Sequence, residues 1–186
     1  MASVFPSLSR DFVFFVVPLL SRVGDVMRSI VPMHFEDLAV GQTFRSASAT
    51  MDLERIKAFA AEFDPQPFHL DEEAAAGSVF GGLVASGWHT AALAMRLVVE
   101  SDFRIAGGLV GAGVEHVQWP RAVRPGDVLH VESEVLEVRP SKTKPDRGIV
   151  KVRNTTMNQD GQPVMIQVAN LIVPRRPPHP SGAAGV

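Results

Sequence analysis

Cysteine is absent from all 186 residues. That removes a disulfide framework, a thiolate nucleophile and any sulfur ligand for zinc or iron, and it accords with a cytoplasmic location. A basic run is missing as well. Eighteen lysines and arginines against 20 acidic residues leave a formal net charge of −2, so nothing electrostatic draws the chain to nucleic acid or to an anionic membrane surface. The apolar run near the N-terminus, Phe12 to Leu20, is nine residues long and broken by Pro18, against the roughly 20 residues a membrane-spanning helix needs. Arg10 is the only basic residue before that run, and "SRVGDVMRS" offers no small-x-small cleavage pattern, so the run does not read as a secretory leader. Residues 1–32 are expected to form a poorly ordered or amphipathic extension, with Met27 or Met33 as the effective start. The end of the chain, residues 175–186, is rich in Pro, Gly and Ala and is expected to be a disordered tail. The glycines of "GGLVGAG" from Gly107 have the wrong spacing for a dinucleotide loop, and a strand pattern follows where a helix would be needed.

What is present between the ends, residues 33–174, suits one globular domain. With 46% hydrophobic and 20% charged residues, the chain is long enough to bury a sizeable core. "DLERIKAFAAEF" sets Leu53, Ile56, Phe59, Ala60 and Phe63 at helical spacing, with Asp52 placed to cap the first turn. A second helix starts near Trp88, where "WHTAALAMRLVVES" is apolar almost all round and carries only Arg96 and Glu100 as charges, the pattern of a buried helix. From Leu109 the period changes to two. In "VLHVESEVLEV", Leu129, Val131 and Val135 alternate with His130, Glu132 and Glu134, so one face is wet. "RPGD" and "NQDG" supply turn chemistry. Four antiparallel strands are expected at about 108–119, 127–139, 147–158 and 163–173, wrapped around the long helix in an α+β arrangement.

"EFDPQPFHLD" places a carboxylate, Asp64, five residues before an imidazole, His69. Pro65 and Pro67 each remove a backbone donor and push the preceding residue toward extended geometry, so the segment is expected to be a stiff, non-helical turn. By itself such a pair also suits a solvated loop or a structural hydrogen bond. Its company gives it weight: the proline between the two residues, the helix start in "GGLVASGW" and the strand entry in "RPGD". The other histidines have plainer readings. His89, one turn inside the apolar helix, is expected to be a satisfied core histidine. His116 and His130 fall in strand patterns and could be neighbours, but without cysteines or a carboxylate cluster no metal site is expected.

The stretch "FAAEFDPQPFHLDEEAAAGSVFGGLVASGWHTAAL", with "VEHVQWPRAVRPGDVLHVESEV" after it, resembles the MaoC-like dehydratases, single hot-dog enzymes that include (R)-specific enoyl-CoA hydratases. The resemblance runs from about Phe35 to Val173. Asp64, Pro67 and His69 match the family's hydratase motif, with Gln66 where Asn is usual. Gly87 matches the glycine that opens the central helix, and Ser86 stands where His is common. The resemblance implies Asp64 and His69 as catalytic residues and Gly87 as the oxyanion donor, with Gln66, Ser86 and Trp88 as substrate contacts. It further implies a coenzyme A thioester as substrate, no cofactor, and a homodimer or higher homo-oligomer paired edge to edge.

The chemistry agrees with those residue types. Hydrating a double bond conjugated to a thioester needs a base for the water, an acid for the carbon beside the carbonyl, and donors for the enolate oxygen. Asp64 and His69 can hold one water and move its protons. Gly87 offers a free backbone N–H with the helix dipole behind it and no side chain to block a carbonyl. Two alternatives stay open: a thioester hydrolase on the same fold, whose branch places a carboxylate on the central helix where this chain has only Glu100, and an acyl-thioester binding module without catalysis.

Overall fold

The computed structural model describes residues 31–178; most of the expected N-terminal extension, and the tail from residue 179, lie outside them. Six strands and four helices follow in chain order: β1 (Thr43–Arg45), β2 (Ala49–Thr50), α1 (Leu53–Phe63), α2 (Pro67–Leu70), α3 (Glu72–Ala76), α4 (Gly87–Val99), β3 (Val110–Gln118), β4 (Val128–Pro140), β5 (Arg147–Met157) and β6 (Pro163–Pro174). Every strand pairing is antiparallel, the order across the sheet is β1-β4-β5-β6-β3, and β2 pairs with β4 off that path. The sheet wraps α4 in the hot-dog arrangement. The four long strands lie within two residues of the expected ranges. β1 and β2 are too short to show a period and were not anticipated.

The turns form as their residues dictate. At "NQDG" the Asn158 side-chain oxygen accepts from the amides of Asp160 (3.1 Å) and Gln162 (2.9 Å), and at "RPGD" the Asp127 carboxylate accepts from the Arg124 amide (2.8 Å). The Asp52 side chain caps α1 by accepting from the Arg55 amide at 3.1 Å, a bond worth about 1 kcal/mol.

Two apolar clusters build the interior. In the larger, Ala94, Leu97 and Val98 of α4 pack on Val131, Val135, Val150, Val152 and Met165 of the sheet, with Phe103 and Phe35 closing one end. In the smaller, Ile56 of α1 and Ala75 of α3 meet Leu83, Ala85, Val123, Leu129 and Val164. Leu93 packs against both. Burying a side chain such as Ile56 or Leu129, each with no exposed surface, stabilises by about 1.5–3 kcal/mol. The smaller cluster matters for function, because it fixes α1, α3 and the 83–85 segment to the sheet.

Four expectations are corrected here. The segment after Asp64 is not helix-free: Pro67 sits in the first turn of α2, where its missing N–H costs nothing and its φ is already helical. Phe63 is exposed rather than part of the buried face of α1, which consists of Ile56 and Ala60. α4 is buried on one side only, through Thr90, Ala94, Leu97 and Val98, while Trp88 (62%), Met95 (50%) and Val99 (54%) face outward. One sheet covers one side of a helix. Lastly, His116 and His130 are not neighbours, since β5 and β6 stand between β3 and β4.

The N-terminal 3₁₀ turn Phe35–Asp37 is tied to the far end of β6. Arg176 pairs with Asp37 at 2.7 Å and Arg175 with Glu36 at 3.6 Å, and the Arg175 guanidinium lies 5.3 Å from the Phe35 ring centroid. The ring fills the space in front of Gly148 on β5, so that any Cβ at that position would overlap it. Gly148→Ala is therefore expected to cost about 1–3 kcal/mol through overpacking, read as a lower urea midpoint with an unchanged slope; a native midpoint would show that Phe35 is free to move aside.

Candidate active site

Asp64 ends α1 as its C-cap, its amide donating to Ala60 O at 2.9 Å. His69 lies on α2 and is 4% exposed. These two elements bring the carboxylate and the imidazole together, with His69 Nε2 at 3.3 Å from Asp64 Oδ2. The other ring nitrogen, Nδ1, is 2.8 Å from Val84 O. A carbonyl can only accept, so Nδ1 carries a proton and Nε2 is the nitrogen turned toward Asp64. At 3.3 Å the two atoms are in direct contact, too close for a water molecule to stand in line between them.

Asp64 has two further partners. Gln66 Nε2 donates to Oδ1 at 2.7 Å, and Ser86 Oγ donates to Oδ2 at 2.7 Å. The Ser86 bond, and after it the Gln66 bond, hold the Asp64 carboxyl below the usual carboxylate range; partial burial opposes them and the charge of His69 adds to them. Asp64 is thus an ionised acceptor at neutral pH. His89 is pushed the other way, toward its neutral form, by burial and then by the Arg55 charge. It stacks flat on Phe59 at 4.8 Å, but its buried Nδ1 has no hydrogen-bond partner among the described residues, so it is not the satisfied core histidine expected.

Beside these groups opens a cavity of about 370 Å³. Asp64, Gln66, His69, Gly87 and Thr90 form its polar side, Phe68, Phe80, Trp88 and Trp119 its aromatic walls, and Arg121 adds a cation. Gly87 opens α4, and its amide has no acceptor among the described residues. The fold adds a packing reason for the glycine. A Cβ there would come within 2.9 Å of Trp119 Cε2, and Trp119 Nε1 donates to Gly87 O at 3.0 Å. The missing side chain makes room for an indole of the protein.

Of the six residues singled out in the sequence, Asp64, Gln66, His69, Gly87 and Trp88 line the cavity. Ser86 does not. It is 1% exposed, its hydroxyl donating to Asp64 and its oxygen accepting from the Trp88 amide at 3.2 Å, so the hydroxyl is committed within the protein where a direct contact with substrate was expected. Phe68, Phe80, Trp119 and Arg121 were missed. "WPR" was visible as a strand end, but nothing in its spacing places it 30 residues back against the start of α4.

A model of the MaoC-like domain family matches residues 36–158. The chain belongs to that family. This MaoC-like chain is 35% identical over 127 residues to the uncharacterized protein YdeM of Bacillus subtilis, a match spanning 68% of this chain and 89% of that one. Among solved structures, a MaoC-like dehydratase from Rhodospirillum rubrum is 56% identical with a TM-score of 0.76, covering 78% of this chain and 99% of the other. The R-hydratase PhaJ1 of Pseudomonas aeruginosa is 28% identical with a TM-score of 0.59, covering 78% and 88%.

Trp88 and Trp119 are the only two tryptophans of this MaoC-like chain, and their rings meet edge to face at 5.3 Å beside Gly87. Gly87→Ala should force the Trp119 indole outward, shifting the emission maximum to the red and lowering the melting temperature. An emission spectrum identical to that of the wild type would contradict this packing.

Proposed function

We propose that the chain is a hydro-lyase that reversibly hydrates a trans-2-enoyl-CoA, or a related acyl thioester, to the (R)-3-hydroxyacyl thioester. The observation that carries the reading is a shared opening: an ionised carboxylate, an imidazole and the glycine that opens α4, whose amide has no acceptor among the described residues, all line one apolar-walled cavity. The family match and the likeness to R-hydratases support the reaction type and its hand.

In this reaction the thioester oxygen accepts from the Gly87 N–H, where the dipole of α4 favours negative charge. A water bound from the cavity side by Asp64 and His69 together gives up one proton to the pair as its oxygen bonds to C3. The C2–C3 π electrons move toward the carbonyl, leaving an enolate whose oxygen carries the charge. The pair then returns a proton to C2, and the sum is one water added across the double bond. Phe68, Phe80 and Trp119 give the acyl group an apolar surface and exclude competing water. Coenzyme A enters as part of the substrate; no cofactor is required. A hydrolase reading finds less support, because Glu100, the carboxylate at the end of α4, caps its C-terminus and pairs with Arg96 at 3.9 Å.

Offered a short enoyl-CoA, the protein should remove the conjugated absorbance without releasing free thiol. Asp64→Asn and His69→Ala should each lower turnover roughly 10²- to 10⁴-fold with little change in substrate affinity, and the double variant should be little worse than the worse single one. Thiol release would favour the hydrolase, and native turnover by His69→Ala would remove the basis of the proposal.

The same reading includes a second copy. β3 ends the sheet with Val110 (49%) and Val114 (54%) exposed, and Met95 of α4 lines one surface cavity together with Val114. An unpaired apolar edge is a template for pairing. A homodimer is the expected state. Light scattering at micromolar concentration should give twice the chain mass of 20.1 kDa, and Val114→Lys should shift the population toward monomer; a wild-type protein that stays monomeric would overturn this assignment.

A further inference from the structure

We infer that Ser86 is a positioning residue of the reaction: its hydroxyl ties the Asp64 carboxylate to the start of α4, setting the base against the Gly87 amide. The inference rests on the hydratase reading above and assigns Ser86 a task other than touching substrate.

The geometry leaves the hydroxyl no freedom. Its proton goes to Asp64 Oδ2 at 2.7 Å, its oxygen accepts the Trp88 amide at 3.2 Å, and the residue is 1% exposed. Ser86 is also the residue directly before Gly87. One residue therefore joins the water-activating carboxylate to the amide that would receive the carbonyl oxygen. The Ser86 carbonyl is committed too, accepting from the Thr90 amide at 3.0 Å and the Thr90 hydroxyl at 3.3 Å, so the strut is held from its own side. Two consequences follow for Asp64. Of its two oxygens, Oδ2 takes the Ser86 hydrogen bond and is also the one 3.3 Å from His69 Nε2, and the donated hydrogen bond favours the ionised form. The groups around the carboxylate that titrate or carry charge are His69 across 3.3 Å and, in the cavity wall, Arg121, whose Nη1 donates to Pro163 O at 3.1 Å. Ser86 and Gln66 carry no charge, so their effect does not itself vary with pH.

Sign follows from the direction of the bond. A depressed carboxyl keeps the base ionised, and activity present, as pH falls through the range where an ordinary aspartate protonates. Without the Ser86 hydroxyl the acid limb of kcat/KM should move toward neutral pH. Ser86→Ala is expected to lower kcat about 10- to 100-fold through loss of alignment, with KM within about twofold, and to move that limb upward. A cap is lost as well, so Asp52→Ala serves as the control: it removes the α1 cap at a similar stability cost and should leave the limb in place. Should Ser86→Ala fail to fold, Ser86→Cys keeps the shape with a weak donor and should move the limb the same way. The Asp64 carboxyl is also titrated directly by carbon-13 NMR in labelled protein, assigned through Asp64→Asn, and it should titrate higher in the serine variants than in the wild type. This readout needs no turnover, so an inactive protein with a shifted carboxyl retires the hydratase reading and leaves the strut standing. An acid limb and a carboxyl titration both unmoved by loss of the hydroxyl would overturn the inference.

Discussion

The site depends on one short extended segment, Leu83 to Gly87, through which every group that could do chemistry is held. Val84 O accepts from His69 Nδ1, Ser86 Oγ donates to Asp64, and Gly87 lines the cavity. The segment is itself anchored on both sides: the Ala85 amide donates to Val123 O at 2.8 Å, and the Val84 amide to Phe68 O at 3.3 Å. The first ties it to the loop leading into β4, the second to α2. A five-residue segment with so many partners can keep three groups in register to a few tenths of an ångström, which is what proton transfer between positioned groups requires.

Its rigidity comes from the smaller apolar cluster. Leu83, Val84 and Ala85 are buried, and Leu83 and Ala85 pack with Ile56 of α1 and Ala75 of α3. Side chains of the segment that are not buried apolar groups are hydrogen-bonded, so the backbone has little to gain by moving. On the other side of the cavity the Trp119 indole rests where a Cβ of residue 87 would be, and its N–H holds the Gly87 carbonyl. The first turn of α4 is thereby pinned by a residue from the end of β3. A helix of 13 residues supplies the dipole; packing decides where it points.

Charge is arranged sparsely around this. Asp64 is surrounded by neutral donors and one imidazole, so its ionisation is stabilised by hydrogen bonds more than by ion pairing. The exposed pairs elsewhere, Arg45 with Glu132, Lys57 with Glu72 and Arg153 with Glu134, are the solvent-screened kind, worth about 0–1 kcal/mol each. The first and third lie on the sheet, the second joins α1 to α3, and none lines the cavity.

Local rules were sufficient for much of this chain. A period of two from Leu109 onward, turn residues at "RPGD" and "NQDG", and an apolar helical run after a glycine locate the four long strands and α4 to within two residues, because each signal acts within a few residues of itself. Asp64 and His69 were legible for the same reason, being five apart on one short connection. The role of the residues between and beyond them was not. Pro67 begins a helix rather than preventing one, since only its donor is lost and the first turn needs none. Ser86 reads in the sequence as a substrate contact, and in the fold its hydroxyl is committed to the Asp64 carboxylate. Trp119 and Arg121 reach the cavity from a strand end over 30 residues from Gly87, and no spacing rule spans that distance. Sequence by itself determined the long elements and the candidate pair, because propensity, capping and turn chemistry are short-ranged. Tertiary structure alone decided which face of α4 is covered, why residue 87 must be glycine and where the Ser86 hydroxyl points, because those depend on packing between segments that meet only once the sheet has closed over the helix.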